Sequence, residues 1–327
     1  MALADDLSTD LAAEPAGPSD PSDAFEPADL LRDIDTRPVA GVDGRFELSI
    51  PADWNVFYTF GGVTMAAALR AAERAIDRAD LVPLTAHAVY CAPVQAGDVE
   101  IDVDILRNGR TAAQASVDLR QKGHEGVDVR LLTTFGQRFD SPLEHEGLAY
   151  PDDVLPPEAV TGRPSIDELA AAEDNPFARV NYHQQTDWRP ALENWDWQSG
   201  WTEPGVGRSA SWFRLKKEPR LPDGRIDPVS LCVPADSVGS AVGRAVGHLL
   251  GGQPFLILSL EIDLQIFADT TSAWLLQNVT AQHAGNSYAY GTTEIWDLDR
   301  RLVAIATQRA RLRPIAEGES MGPGPKR

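Results

Sequence analysis

The same succession of segments occurs twice along this chain of 327 residues. A helix rich in small residues, a strand, a hairpin with a glycine turn and a closing strand occupy residues 61–137 and again residues 236–313. The spacing is shared: Tyr90 corresponds to Ile266 and Gly109 to Gly285, and 266 minus 90 and 285 minus 109 both equal 176. Solenoid repeats are much shorter, roughly 20 to 50 residues. The pattern therefore predicts a duplicated domain, which suits the chain length.

Each copy has the patterns of an antiparallel sheet folded around a helix. The tripeptide at residues 108–110 (NGR) is typical of a short hairpin. The helices consist mostly of Ala, Gly and Val, so a curved sheet can close around them. We expect an α+β double hotdog fold, with two tandem modules that each wrap an antiparallel β-sheet around a long α-helix. The strand after the second helix predicts a buried apolar face made of Leu258, Leu260, Ile262, Leu264 and Ile266.

Composition divides the chain into modules and connections. Residues 1–38 contain ten acidic residues against Arg32 and Arg37 and few large apolar ones, which predicts a disordered tail, with an acidic interaction arm as the alternative. A segment rich in Pro, Asp and Glu between the copies predicts an exposed linker. The predicted division is an acidic tail over 1–42, a first module over 43–139, a linker over 140–176, a second module over 177–316 and a tail over 317–327.

Net charge and cysteine content limit the binding partners and the cellular compartment that we expect for this protein. The formal net charge of -20 argues against nucleic acid and anionic membranes as partners, because both attract basic surfaces. Cys91 and Cys232 are the only cysteines and have no metal or redox spacing, which is typical of unpaired thiols in a reducing compartment. With no secretory or membrane-spanning pattern in the sequence, we expect a cytoplasmic protein.

Common catalytic motifs are missing from the sequence. The nearest approach to a G-x-S-x-G nucleophile elbow, at residues 207–211, lacks the closing glycine. The glycine-rich helix starts have neither the dinucleotide spacing nor a phosphate-loop Gly-Lys pair. The six histidines are scattered without a neighbouring ligand. These observations predict chemistry that needs neither a metal nor another cofactor.

The order of motifs resembles a known family. The segments GGVTMAAALRAA, VYCAPVQAGD, DILRNGRTAAQASVDLRQKG and TTFGQ follow one another as in the first half of type II acyl-CoA thioesterases, which are double-hotdog proteins. The second half of the chain is similar to the same family, and the likeness covers most of residues 45–314. The resemblance implies hydrolysis of an acyl-CoA to the free acid and coenzyme A, with coenzyme A as part of the substrate rather than a cofactor.

The resemblance also implies a catalytic site. In the family, an Asp at the start of the second helix, a Thr or Ser in the next strand and a Gln in the final strand hold the hydrolytic water. These positions fall on Asp236, Ser259 and Gln308. Residues 267–269 (FAD) depart from the family pattern after that strand, at the expected rim of the substrate site.

The three residues also have ordinary structural interpretations. Gln308 lies among small apolar residues, so its amide needs a partner or a water and could simply tie two strands together. Asp236 could be the N-cap of a helix, and Ser259 lies on the polar strand face, where a solvated hydroxyl is the default. If the three converge, Asp236 accepts a proton from a water that Gln308 and Ser259 orient, and the water attacks the thioester.

The first module lacks the catalytic groups. The offset of 176 and the alignment of the final strands place Phe60, Pro83 and Phe135 at the positions of the three candidates. None of these side chains can orient a water, so we predict one active site per chain. Gly61 and Gly62 allow a ligand or a neighbouring element to approach the backbone closely. The predicted substrate-binding residues are Phe60, Phe135 and these two glycines.

Several alternatives remain open at this level. A non-catalytic acyl-CoA-binding or assembly module would keep the same fold, whereas a hotdog dehydratase would need an Asp and His pair that the sequence does not present. A tryptophan-rich stretch over residues 188–212 predicts either a satellite core or a lid. The alternating residues Arg309, Arg311 and Arg313 either bind coenzyme A phosphates or pair with surface carboxylates. The expected partner is an acyl-CoA, with homo-oligomer formation as a further possibility.

Overall fold

The computed structural model describes residues 25–139, 145–162, 180–193, 195–196, 200–201, 205–246, 249–250 and 253–315. Its helices are α1 (Leu30–Asp33), α2 (Gly61–Ile76), α3 (Asn181–Gln185), α4 (Cys232–Ala235) and α5 (Val238–Val246). Its strands are β1 (Arg37–Pro38), β2 (Arg45–Ile50), β3 (Val82–Tyr90), β4 (Gly97–Asn108), β5 (Ala112–Gln121), β6 (Val129–Gly136), β7 (Thr186–Pro190), β8 (Trp195–Asp196), β9 (Gly200–Trp201), β10 (Arg208–Leu215), β11 (Leu249–Leu250), β12 (Gln253–Ile266), β13 (Leu275–Gly285), β14 (Tyr288–Trp296) and β15 (Leu302–Pro314).

The two copies join in one antiparallel sheet. Its strand order is β1-β2-β4-β5-β6-β3-β12-β15-β14-β13-β10-β7, so the second half repeats the first in reverse order. The halves meet where β3 pairs with β12, and His87 lies opposite Asp263 at the centre of this pairing. These two residues are themselves 176 apart in sequence. The predicted duplication is confirmed, with an approximate two-fold axis through the β3–β12 pair.

The longest helix of each half packs against the strands of that half. Helix α2 packs on β3 to β6, and α5 packs on β10, β13 and β14. The small side chains of α2 allow this close packing, since Ala66, Ala67 and Ala68 are fully buried. The double hotdog architecture expected from the sequence is therefore confirmed.

The helix of the second module differs from the prediction. The pattern over residues 236–250 predicts one long helix, but α5 covers only Val238–Val246 and Leu249–Leu250 form β11, which pairs with β12. Asp236 and Ser237 separate α5 from the short helix α4, and Asp236 has φ -87° and ψ 65°, outside helical geometry. The prediction of a long helix is wrong for this module, because helical geometry is interrupted at Asp236 and a strand begins at Leu249.

The end of the predicted disordered tail is folded. Leu30 and Ile34 are buried, and the buried Asp33 carboxylate accepts a hydrogen bond of 3.0 Å from Trp54 Nε1. Strand β1 then pairs with β2. The prediction of disorder is therefore wrong for residues 28–42, since a few apolar residues within an acidic composition are enough to anchor the segment. Residues 1–24 lie outside the described part of the chain.

The described part of the predicted linker lies against the second module. Leu155 donates a backbone hydrogen bond to Ala191 and accepts one of 2.7 Å from Trp212 Nε1, while the Tyr150 ring meets Trp296 edge-on. Most residues of 145–162 are exposed, as expected for the linker, and these contacts anchor the segment at a few points. Trp212 belongs to a satellite core on the outer face of the sheet. The side chains of residues 194–201 lie outside the described residues.

Replacement of Ile34 by Ala tests the folded end of the tail. Because Ile34 is fully buried, the variant should lose about 2 to 5 kcal/mol of stability and melt at least about 4 °C lower. The control Val42→Ala, in the same segment but 43% exposed, should change stability by less than about 0.5 kcal/mol. Equal melting temperatures for the two variants would contradict this packing.

Candidate active site

Asp236, Ser259 and Gln308 converge at the break between α4 and α5. Gln308 Nε2 donates to Asp236 Oδ1 at 2.6 Å and lies 2.8 Å from Ser259 Oγ. Ser259 Oγ donates to the same carboxylate oxygen at 2.9 Å. The three side chains that the family resemblance selects therefore form one hydrogen-bonded group.

A β-bulge turns Ser259 toward this group. In β12, Ser259 pairs with Ala310 and Glu261 pairs with Arg309, so Leu260 is the extra residue. The bulge reverses the alternation expected from the sequence, because bulges change the face to which a side chain points. Ser259 therefore faces inward instead of sharing the solvated face with Glu261. The predicted apolar face is correct from Ile262 onward and wrong for the part before the bulge.

Asp236 also contacts the first module. Its Oδ2 accepts a hydrogen bond of 3.2 Å from the backbone amide of Gly62, in the first turn of α2. Asp236 therefore accepts a hydrogen bond from the helix start of the first module, whereas the N-cap interpretation places this bond in the helix that follows it in sequence. A Cβ on Gly61 would lie 2.6 Å from Asp236 Oδ2, and one on Gly62 would lie 2.4 Å from the Cys232 carbonyl oxygen. Both glycines are needed for this close approach of α2 and α4.

The first turns of two helices meet at the site. Gly62 and Val238 are 176 residues apart and occupy equivalent positions in α2 and α5. While Gly62 donates to Asp236, the Val238 amide donates to Gln308 Oε1 at 3.0 Å. The Gln308 amide is therefore held from both ends, and its orientation is fixed. Helix N-termini favour negative charge, so this arrangement suits a carboxylate and a developing oxyanion.

Burial and hydrogen bonding have opposite effects on the Asp236 carboxyl. Burial is the larger effect and raises its pKa above the usual Asp range. The hydrogen bonds from Ser259, Gln308 and Gly62 oppose this by stabilising the carboxylate. A carboxylate with a raised pKa is a better proton acceptor than an exposed one, which suits a general base.

Two tyrosines near the site were not anticipated from the sequence. Tyr90 donates a hydrogen bond of 2.9 Å to the Gly61 carbonyl oxygen. Burial, and then the Asp236 charge, raise the pKa of Tyr58 to about 12, with an opposing effect from Arg313. Tyr90 is a polar residue at the position where the second copy has Ile266. This difference between the two copies is a sequence signal from which Tyr90 could have been selected. Tyr58 carries no such signal.

The two predicted substrate-binding phenylalanines of the first module differ in burial, since Phe60 is partly buried and Phe135 is fully buried. Phe60 stacks on Tyr182 with 4.1 Å between ring centroids. Phe135 is 1% exposed and belongs to the main core.

Of the three alternating arginines on β15, Arg309 pairs with Glu261 at 3.4 Å. This contact agrees with the alternative in which these arginines pair with surface carboxylates.

The described helices lack the features of a membrane span, and the described residues lack those of a metal site. None of their helices has the length and apolarity that a membrane crossing requires. Within the same ranges, no three His, Cys, Asp or Glu side chains group closely enough to bind a metal ion.

The sequence matches family models along most of its length. A model of the acyl-CoA thioesterase N-terminal domain matches residues 50–136, and a model of the C-terminal domain matches residues 138–312. The chain belongs to the acyl-CoA thioesterase family. It is therefore a thioester hydrolase, as the order of motifs implies. No curated protein matches the sequence significantly.

Solved structures share the fold of this thioesterase. A hotdog protein of unknown function from Alicyclobacillus acidocaldarius is 20% identical, with a TM-score of 0.70, over 88% of this chain and 98% of the other. An acyl-CoA thioesterase II from Mycobacterium marinum is 18% identical, with a TM-score of 0.61, over 88% and 99%. A thioesterase II protein from Mycobacterium avium subsp. paratuberculosis is 20% identical, with a TM-score of 0.59, over 87% and 98%. At these identities the likeness establishes the fold.

A side chain at position 61 should disrupt the site. In Gly61→Ala the new methyl group would overlap the Asp236 carboxylate, and a displacement of about 1 Å can lower turnover about 100-fold. Release of thiol from an acyl-CoA measures the effect. The control Gly243→Ala, in α5 with no atom within 4 Å of the new Cβ, should keep its activity. Unchanged turnover in Gly61→Ala would show that this close approach is not needed.

Proposed function

We propose that this thioesterase hydrolyses an acyl-CoA to the free acid and coenzyme A with a water molecule activated by Asp236 and oriented by Ser259 and Gln308. The observation that carries the proposal is the shared hydrogen bonding of these three side chains around one carboxylate oxygen. The second oxygen is held by the Gly62 amide, so the carboxylate has a defined orientation.

The reaction then follows from the properties of the group. Asp236 accepts a proton from the water as the water oxygen attacks the thioester carbonyl carbon and a C–O bond forms. The negative charge that develops on the carbonyl oxygen is favoured by the positive ends of α2 and α5, whose N-termini meet at the site. Collapse of the tetrahedral intermediate breaks the C–S bond, and the proton held by Asp236 goes to the departing thiolate. No covalent enzyme intermediate and no cofactor are needed.

The first module contributes to this site without having one of its own. Phe60 and Pro83 stand in the places of Asp236 and Ser259. The prediction that Phe135 takes the place of Gln308 is wrong, because Thr133 pairs with Ala86 as Gln308 pairs with Ile262. None of these first-module side chains is a base that could activate water. We assign Phe60, Gly61 and Gly62 to the substrate side of the first module, with Phe135 behind them in the core. The division predicts one site per chain. The alternative of a non-catalytic acyl-CoA-binding protein predicts binding without turnover.

Location and assembly extend the proposal. Cys91 and Cys232 are both free thiols, which supports a reducing compartment such as the cytoplasm. A homo-oligomer is a further expectation, and light scattering on the purified chain decides it.

Replacement of Asp236 by Asn tests the proposed base. Asn keeps the size of the side chain but cannot accept the proton, so hydrolysis of an acyl-CoA panel should fall about 100-fold or more. The control is Asp263→Asn, which changes a partly exposed carboxylate in the same module. Circular dichroism and melting temperature establish that both variants fold. Near-normal turnover in a folded Asp236→Asn variant would remove Asp236 from the mechanism.

The number of sites per chain can be measured directly. Calorimetric titration with a non-hydrolysable acyl-CoA thioether should saturate at about one equivalent per chain, because the first module lacks the catalytic groups. Gln308→Ala should lower turnover about 100-fold rather than by half, since it removes the donor to both other side chains. Gln282→Ala, on an exposed hairpin, is the control. Two equivalents bound, or half the turnover kept, would mean that both modules are active.

A further inference from the structure

A row of buried polar side chains crosses the inner face of the second module's sheet. It consists of Ser211 on β10, Gln277 on β13, Thr293 on β14 and Gln308 on β15, all at most 4% exposed. Ser211 is paired with Gln277, and each following member lies diagonally across from the one before it. The row ends at the proposed catalytic group and faces the break between α4 and α5.

The first module has no such row. Ile101 and Val117 lie 176 residues before Gln277 and Thr293, and both are fully buried. Phe46 pairs with Ile101 as Ser211 pairs with Gln277. Thr133 stands in the place of Gln308, because it pairs with Ala115 as Gln308 pairs with Gly291. The hotdog core of this chain can therefore be built from apolar residues at the positions of Ser211, Gln277 and Thr293. The polar side chains of the second module need a separate explanation.

Two members of the row hold the chain on either side of Asp236. Gln277 Nε2 donates to the Pro234 carbonyl oxygen at 2.8 Å, two residues before Asp236. The hydroxyls of Thr293 and Ser237 are hydrogen-bonded at 2.9 Å, one residue after it. The Gln277 amide is itself contacted by the Ser211 hydroxyl at 3.4 Å.

These contacts differ from those that the two helix starts share. Ser240 Oγ donates to the Ser237 carbonyl oxygen at 2.9 Å, and Thr64 Oγ1 donates to the Gly61 carbonyl oxygen at the same distance. Ser240 lies 176 residues after Thr64, and Ser237 lies 176 residues after Gly61, so this bond occurs at equivalent positions of the two modules. The bonds from Gln277 and Thr293 are additions in the second module, where the chain leaves helical geometry at Asp236.

We propose that Gln277 and Thr293 are positioning residues. They hold the segment from Pro234 to Ser237 so that the Asp236 carboxylate stays within hydrogen-bond distance of Ser259 and Gln308. The inference rests on the proposed function of Asp236 as the base. A short helix of four residues and a nonhelical pair provide few internal hydrogen bonds, so side chains of the sheet must fix this segment. A loss of position of about 1 Å at a reacting group can lower turnover about 100-fold.

The hydroxyl of Thr293 can be removed without changing the side-chain shape. Thr293→Val should lower kcat about tenfold or more while KM stays within about threefold, because the substrate is still bound. Thr293→Ser keeps the hydroxyl and should restore kcat to within about threefold of wild type. Thr292→Val, the adjacent outward-facing position of β14, is the matched control and should behave as wild type.

The pKa of Asp236 separates positioning from a merely structural role. The hydrogen bond from Gln308 lowers the pKa of this carboxyl, so weakening it should raise the pKa further. Because the base acts in its ionised form, activity rises with pH through this pKa, and the acid limb of kcat/KM should move to higher pH in Thr293→Val. Carbon-13 NMR of the Asp236 carboxyl, assigned with Asp236→Asn, should show the same direction without requiring turnover.

The outcomes separate this inference from the proposed function. If the wild-type chain hydrolyses no acyl-CoA, the proposed function fails, and the NMR titration alone decides whether Thr293 positions Asp236. A Thr293→Val variant with wild-type kcat and an unshifted Asp236 pKa overturns the inference, as does a Thr293→Ser variant that is equally impaired. If Thr293→Val does not fold, Ser237→Ala removes the same hydrogen bond from its partly exposed end, with the same expected and contradicting results.

Discussion

The hydrogen bond between the Gly62 amide and the Asp236 carboxylate joins the two modules at the site. An ionised carboxylate is costly to bury unless donors surround it, and here the donors come from α2, β12 and β15. The bond forms only because α2 begins with two glycines that let α4 approach. The site therefore belongs to the assembled pair, and neither module can complete it alone.

Duplication gave the two halves different tasks. The strand order, the β3–β12 pairing and the hydrogen bond within each first helical turn are repeated in both halves. The polar groups are concentrated in the second half, where the helix is interrupted at Asp236. The first half has an unbroken 16-residue helix, and Ile101 and Val117 stand where the second half has Gln277 and Thr293. Its contribution to the site is the backbone of one helix start.

The repeat and the order of motifs were sufficient to predict the fold, and the family resemblance predicted that Asp236, Ser259 and Gln308 meet. Residue patterns alone could not place Ser259, because the bulge at Leu260 depends on pairing with β15 and leaves no mark in the alternation. Composition likewise concealed the anchor formed by Leu30 and Ile34, since two apolar residues change the average composition of a long acidic segment very little. Such features depend on contacts between residues that are far apart in sequence.

The central pairing of β3 with β12 has a consequence for how such a chain can evolve. In a homodimer with true two-fold symmetry, a residue on the axis faces its own copy, so it can never face a partner of different chemistry. Here His87 faces Asp263, with 3.7 Å between the imidazole Nδ1 and the carboxylate. Fusion of the two halves into a single gene freed each side of the axis to mutate independently, and this unlike pair is a product of that freedom.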